Sequence, residues 1–282
     1  MRILRISRNK LNKVIIYIAA IVVALIIMFP LYTLFMMSVI SRAQLFSKPF
    51  NWIPITATFK NYIEVLKPEH PVPVFQGIMN SFIVSIWAAT LSLLLASLAA
   101  YALARLRFPY KAHILTSLLS FYMLPAMLFL IPIFIIMKYL NLLDTYLSLV
   151  LPYSVWITPF ATLILKSFFE SIPSSVEEAA WIDGCSKLSA LRRVIMPLAV
   201  PGLVATFIYA FILSWNEFLT PLIMTNRTIL ITTALGRYRS TYDIEIGQMS
   251  AAGIYSILPV IILTLIFQRY IIKGIVEGAI KG

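Results

Sequence analysis

The chain has 282 residues, 61% of them hydrophobic and only 12% charged, with a formal net charge of +12. Soluble domains carry about 25% charged residues, so this chain lacks the charge to cover a water-soluble body of its size, and its class is integral membrane protein. The bases mostly flank apolar runs, which points to membrane orientation and away from nucleic acid as a partner.

Residues 1–13 ("MRILRISRNKLNK") form a basic N-terminal segment. The apolar run that follows is too long for a signal-peptide core, and no small-residue cleavage site comes after it, so it reads as a retained first span. A helix rises about 1.5 Å per residue, so a hydrocarbon core of roughly 30 Å takes about 20 residues to cross. Six stretches meet that length: 14–40, 76–104, 114–140, 147–169, 198–224 and 251–272. All are long and continuously apolar, which favours helices over the short alternating strands of a barrel. Residues 14–282 are therefore expected to be one all-α transmembrane domain. Pro30, Pro125, Pro132, Pro152, Pro159 and Pro259 fall inside these spans and should kink them.

Between the spans, Ser41–Phe75 is rich in Pro and aromatics and Thr225–Ser250 is polar. Both read as outer loops or short interfacial helices. Orientation follows from the bases. Arg2, Arg5, Arg8, Lys10 and Lys13 precede span one, and Arg105, Arg107 and Lys111 separate spans two and three. Lys187, Arg192 and Arg193 lie between spans four and five, and Arg269, Lys273 and Lys281 lie at the end of span six. The opposite side holds a sparser set: Arg42, Lys48, Lys60, Lys67, Lys138, Arg227, Arg237 and Arg239. Both termini and the segment 171–197 are thus expected on the cytoplasmic face.

That segment, "SIPSSVEEAAWIDGCSKLSALRRVIMP", is polar in an otherwise oily chain. Pro173 interrupts what precedes it, and Ser174 stands three residues before Glu177, the spacing of a capping box. A helix should start near Ser175 and run to Ile182, with Glu177 and Glu178 in its first turn. Asp183-Gly184 signals a turn. A second helix should follow with Leu188, Leu191 and Ile195 on one face, closed by Met196-Pro197. An amphipathic segment lying on lipid is one reading of this elbow. Acids at its start would be repelled by an anionic leaflet, and the small Ala179, Ala180 and Gly184 admit close approach, which favours a protein groove.

"EEAAWIDGCSKLSALRRVIMP" resembles the EAA loop of ABC importer permeases, whose pattern is E-A-A, three residues, G, nine residues, I, one residue, L-P. Glu178, Ala179, Ala180, Gly184 and Pro197 fall on it, while Val194 and Met196 replace the Ile and Leu. "SWNEFLTPLIM" (Ser214–Met224), "WIPITATFKNYIEVL" (Trp52–Leu66) and "LIFQRYIIKGIVEGAIKG" (Leu265–Gly282) extend the likeness to the MalG-type carbohydrate permeases. The resemblance implies a type I importer permease fold with six spans. It also implies a second permease of the MalF type, two cytoplasmic ATPase subunits and an extracytoplasmic sugar-binding protein. Glu178, Ala179, Ala180, Trp181, Asp183, Gly184 and Pro197 would couple this chain to the ATPase. No G-x-x-x-x-G-K-[ST] phosphate loop is present, so ATP and Mg are expected on the partner ATPase and no cofactor in this chain. The tail "KGIVEGAIKG" resembles one that reaches toward the ATPase interface, with Gly274, Gly278 and Gly282 permitting an extended path.

Glu217 is an acid inside an apolar span and by default a functional candidate. With Trp215 and Asn216 it is expected to line a translocation path, where aromatic faces and amides suit sugars; an acid near the outer boundary or paired with the partner subunit is the other reading. Cys185 is the single cysteine, so no intrachain disulfide can form, and His70 and His113 are isolated from metal partners. A secondary transporter or channel would need more intramembrane acids or unwound polar sites than Glu217 alone. An intramembrane enzyme would need paired catalytic groups at one depth, which neither histidine has.

Overall fold

The structure is a computed structural model, described here for residues 8–45, 47, 52–54, 56–238 and 245–279, with backbone alone at 8–11 and 271–279. All regular structure among the described residues is helical. These residues fall into two compact units.

The first unit comprises residues up to Val72 together with Tyr238–Tyr255. Its long helix α1 (Arg8–Val39) carries Pro30 without interruption, and the described face of its Asn12–Val39 stretch presents almost only apolar side chains. The outer segment folds into two short helices, α2 (Arg42–Leu45) and α3 (Lys60–Glu64). Polar bonds fasten α3 to the end of α1: Asn61 Nδ2 donates to the Ser38 carbonyl at 2.8 Å, and the Ser38 and Tyr62 hydroxyls meet at 2.6 Å. His70 reaches Gln248 Oε1 through Nε2 at 2.9 Å, so this histidine ties a loop rather than a metal.

The second unit comprises Pro73–Arg237 and the chain from Ser256 onward. Its centre is α4 (Val74–Arg105), which packs along α7 (Leu147–Ser171). Hydrophobic burial gives little drive in lipid, so helix pairs associate through close backbone approach and interhelical hydrogen bonds. The buried face of α4 fits that demand: Gly77, Ser81, Ser85, Ala88, Ala89, Ser92, Ala96 and Ala100 are all small. Ser92 Oγ donates across to the Ser154 carbonyl of α7 at 3.2 Å.

Spans two and four are thus single helices, as the sequence predicts, and Pro152 and Pro159 leave α7 unbroken. The expected third and fifth spans are not single helices. Residues 114–140 form α5 (Lys111–Met123) and α6 (Met127–Tyr139), which meet at 93° across a break that contains Pro125. Pro125 lacks the N–H that would continue the ladder and biases Leu124 to an extended backbone, which Leu124 adopts with ψ 138°. The 171–197 segment forms α8 (Ser174–Ile182), α9 (Lys187–Ala190), a π-helical turn (Leu191–Ile195) and α10 (Met196–Leu198). The rod Lys187–Leu198 turns 83° into α11 (Val200–Asn216). The chain breaks again at Glu217, then forms α12 (Leu219–Met224) and α13 (Ile231–Arg237). Among the described residues, four helices are long and apolar enough to cross a membrane, or up to six if each bent pair counts as one crossing.

The last helix, α14 (Ile246–Ala279), continues through Pro259, Gly274 and Gly278. The expected extended tail is therefore helical as far as Ala279, and 280–282 lie outside the described residues. So do Arg2, Arg5, Lys48, Arg239 and Lys281 of the charge pattern.

Two packing details fix the second unit. Gly202 of α11 lies against Phe168 of α7 so closely that a Cβ there would overlap the Phe168 ring. Asp144, in the turn between α6 and α7, has a left-handed backbone with φ 62°. Its Oδ1 accepts from the backbone N–H of Asn226, Arg227 and Thr228 at 2.9, 2.8 and 3.1 Å. Partial burial pushes its pKa up, but the N–H donors of Arg227, Thr228 and Asn226 outweigh it and hold the carboxyl below the ordinary aspartate value. A carboxyl with a depressed folded pKa stabilises the fold above its unfolded pKa of about 3.9 and loses that contribution as pH falls through the folded value. Asp144→Ala is expected to cost about 1–2 kcal/mol at neutral pH, solvent screening trimming what such charge-assisted bonds are worth. Thermal unfolding in detergent will show this, and the gap between wild type and variant should close on acidification below pH ~4.

Candidate functional site

The helix of the elbow begins as expected but is not capped as expected. Pro173 occupies the N-cap position, no side chain caps the helix, and Ser174 is its first residue. The capping-box expectation fails because Glu177 is used elsewhere. It is 1% exposed, and it points under α8 to the end of α4. There the Tyr101 hydroxyl donates to Oε1 in a short hydrogen bond. Arg105 Nε lies 3.1 Å from Oε2, an ion pair at contact distance whose angle falls short of a hydrogen bond. The same guanidinium donates through Nη2 to the Ile172 carbonyl at 2.7 Å, at the point where α7 ends. One buried carboxylate thus joins α8, the last turns of α4 and the end of α7. Sequence reasoning missed Glu177 and Arg105 as a pair. The available signal was the three-residue step from Glu177 to the inward Ala180, which puts both on one helix face.

The residues proposed from the sequence lie mostly on the opposite face. Glu178, Ala179, Trp181, Ile182, Asp183 and Gly184 are exposed, Ile182 at 86%, while Ala180 is buried. Gly184 closes α8 with φ 86°. Its N–H bonds the Trp181 carbonyl at 3.0 Å and the Cys185 N–H bonds the Ala180 carbonyl at 2.9 Å. This is a Schellman cap, which needs a left-handed residue after the helix, hence glycine. Apart from its own residue and chain neighbours, no described atom lies within 4 Å of where a Gly184 Cβ would stand, so the space above this turn is open. Ser186 then caps α9, accepting from the Ser189 N–H at 3.3 Å. Leu191 and Ile195, expected on one face with Leu188, are buried, whereas Leu188 is 66% exposed, as is Ile182. Pro197 is exposed in α10.

The three residues expected along a path separate. Trp215 is buried, stacks on Phe211 and edge-on to Phe82, and donates its indole N–H to the Ser256 carbonyl at 3.0 Å. Asn216 is exposed and returns its amide to the Ile212 carbonyl. Glu217 lines a cavity. This space of about 490 Å³ is bounded by α5, α6, α7, α11 and α12, and its walls include Phe121, Tyr122, Phe129, Tyr153, Trp156 and Thr220. Glu217 ends α11 with an extended backbone (ψ 132°), and its Oε1 accepts from the N–H and the hydroxyl of Thr220, both at 2.8 Å. The acid is therefore also the device that starts α12. Among the described residues, no group of three His, Cys, Asp or Glu side chains could hold a metal ion.

An exposed helical elbow, a buried tie to the membrane helices and a cavity between broken helices together define a membrane transport component. The chain belongs to the family of binding-protein-dependent transport system inner membrane components, whose model matches residues 92–277. It is 38% identical to the sulfoquinovosyl glycerol transport system permease protein SmoH of Agrobacterium fabrum, over 94% of this chain and 93% of that one. It is 31% identical to the trehalose/maltose transport system permease protein MalG of Thermococcus litoralis, over 96% and 98%. Its fold matches a crystal structure of a bacterial ABC transporter involved in import of the acidic polysaccharide alginate, with TM-score 0.79, 23% identity and coverage of 94% and 98%. The chain is thus a permease subunit of an ABC importer, a transporter component and not an enzyme.

Removing one partner of a buried ion pair strands the other, which costs about 3–5 kcal/mol, whereas replacing both by apolar groups is often neutral. Glu177→Ala is therefore expected to lower the melting temperature sharply. The triple replacement Tyr101→Phe, Arg105→Met and Glu177→Leu, which also removes the hydroxyl that Glu177 accepts from, should recover part of that loss in the same thermal assay.

Proposed function

We propose that this chain is the MalG-type permease of an ATP-driven importer that carries a carbohydrate into the cell. A MalF-type permease partners it, two cytoplasmic ABC ATPase subunits drive it, and an extracytoplasmic binding protein delivers the sugar. Both termini face the cytoplasm, residues 14–282 act as one six-span permease domain, α5 with α6 forms the third crossing, and α11 with α12 forms the fifth. ATP and Mg stay on the ATPase subunits. The observation that carries this reading is the elbow itself, a stiff, Schellman-capped helix whose inner face is anchored by Glu177 and whose outer face is left bare.

In this reading Glu178, Ala179, Trp181, Asp183, Gly184 and Pro197 seat the elbow in a cleft of the ATPase, while the buried Ala180 packs its inner face. Ile182 and Leu188 add apolar contact, and the open space at Gly184 lets the ATPase surface approach the backbone. When the ATPase dimer closes on ATP, the cleft carries α8 with it. The Glu177–Arg105 pair passes that displacement to α4, and the rod Lys187–Leu198 passes it to α11. The membrane helices then exchange an inward-open for an outward-open arrangement. The relatives named for trehalose/maltose and sulfoquinovosyl glycerol transport support a sugar-containing cargo. A polyol or glycerol phosphate is the second reading for the cargo.

Gly184→Pro removes the left-handed cap, and Glu178→Lys reverses a charge on the bare face. Each is expected to lower substrate-stimulated ATPase of the reconstituted four-subunit complex at least tenfold, while membrane insertion and assembly of the permease pair stay normal. Stimulated turnover at the wild-type rate in both variants would defeat the coupling role of the elbow.

A further inference from the structure

The 32 residues of α1 reach about 48 Å at about 1.5 Å per residue, and a hydrocarbon core takes roughly 30 Å of that. Counted from Lys13, the last base before the apolar run, the far boundary falls near Phe29 and Tyr32, with Val39 about 10 Å beyond it. The chain that follows folds back toward that boundary. The Thr58 N–H donates to the Val39 carbonyl at 2.8 Å, so the loop ends level with the end of α1. Between the two, the Tyr32 hydroxyl donates to the Trp52 carbonyl at 2.6 Å, and the Phe29 and Trp52 rings lie 5.9 Å apart. The tip of the loop is thereby held about 10 Å short of the end of α1, at the depth of the boundary. What the tip presents is apolar: Trp52 is 55% exposed, Ile53 77%, and Pro54 follows. The adjoining face of α1 is bare in the same way, and the most apolar window of that helix buries nothing against the described chain. The flanking chain is polar, and there Gln44 Nε2 donates to Thr56 Oγ1 at 2.9 Å. An apolar tip continuous with a bare apolar helix face is unfavourable in water and suited to lipid. Tryptophan and tyrosine favour this depth, because each has an apolar ring and a polar group that bonds in the headgroup region.

We propose that Trp52 and Ile53 form a lipid anchor, seated among phospholipids at the far boundary of α1, where acyl chains meet headgroups. Tyr32 and Phe29 aim the tip, Ile53 enters the acyl region, and Trp52 lies at its edge. The anchor sets the depth of α1 from its far end, as the basic segment up to Lys13 does from the near end. It requires α1 to be a membrane span, and its place in the outer leaflet rests on the orientation proposed above. A protein surface is the competing occupant, and it would hide both side chains from lipid.

The test uses the full complex, with its ATPase and partner permease, in nanodiscs of phosphatidylethanolamine and phosphatidylglycerol. Part of the lipid carries bromine on its acyl chains, either near the glycerol or near the terminal methyl. Trp52→Phe keeps a ring against Phe29 at an exposed site, so the difference between wild-type and variant emission isolates Trp52. That emission should be blue-shifted and resist acrylamide, and bromines near the glycerol should quench it about threefold more strongly than those near the methyl. Ile53→Asp places a charge at the tip, so bromolipid quenching of Trp52 should fall about threefold and acrylamide quenching rise, while Ile53→Leu behaves as wild type. Acrylamide quenching as strong as for tryptophan in water puts the tip in solvent and overturns the anchor. Quenching by neither acrylamide nor any bromolipid assigns the tip to a protein partner and overturns it equally. Strongest quenching by bromines near the methyl places the tip in the bilayer interior, where it anchors nothing at the boundary. All three leave the importer reading to the elbow variants, whose ATPase readout is independent of this loop.

Discussion

Arg105 and Glu177 come from segments more than 70 residues apart and meet where neither can be well solvated. Two charges withdrawn from water repay their desolvation only through close geometry and further hydrogen bonds. The Tyr101 hydroxyl and the Ile172 carbonyl supply those bonds. The pair therefore costs the protein something in stability and returns a fixed relation between α8 and the end of α4. An apolar contact in its place could slide. A paired carboxylate and guanidinium resists such sliding, which is the rigidity the proposed coupling role requires. In the proposed docking role, the exposed residues of α8 depend on this inner joint to hold them in place.

The rest of the second unit is organised by breaks in otherwise apolar helices. Non-helical backbone at membrane depth is tolerated where protein or a polar cavity surrounds it. The break at Pro125 bends α5 from α6, and the break at Glu217 separates α11 from α12; residues beside both line the same cavity. Glu217 compensates its own break by accepting the N–H and hydroxyl of Thr220, while its carbonyl takes the Thr232 hydroxyl at 2.8 Å. The same residue thus shapes the chain and supplies the cavity with its one acid.

Composition and run length made spans two and four readable, because both are apolar along their whole length and their breaker residues sit inside continuous helices. The same signal failed at spans three and five, since hydropathy does not register a bend or an unwound residue flanked by apolar ones. Gly184 was legible as a turn because the local geometry demands a residue at positive φ. The Ser174–Glu177 capping box was misread because a distant guanidinium outcompetes a local backbone N–H for the carboxylate. Trp215, Asn216 and Glu217 could not all face one path, since neighbours on a helix point about 100° apart. Tyr153 and Trp156 gave no sign at all: aromatic residues in an apolar helix look alike until the fold shows which ones border empty space.

Gly202 has a consequence for movement. The Phe168 ring fills the volume that a side chain at 202 would claim, so α7 and α11 are seated like a ball in a socket. Translation of one along the other would drive the ring into backbone. In the proposed cycle, a stroke that reached α11 would pass at once to α7, the two moving as a single lever arm rather than as separate pistons.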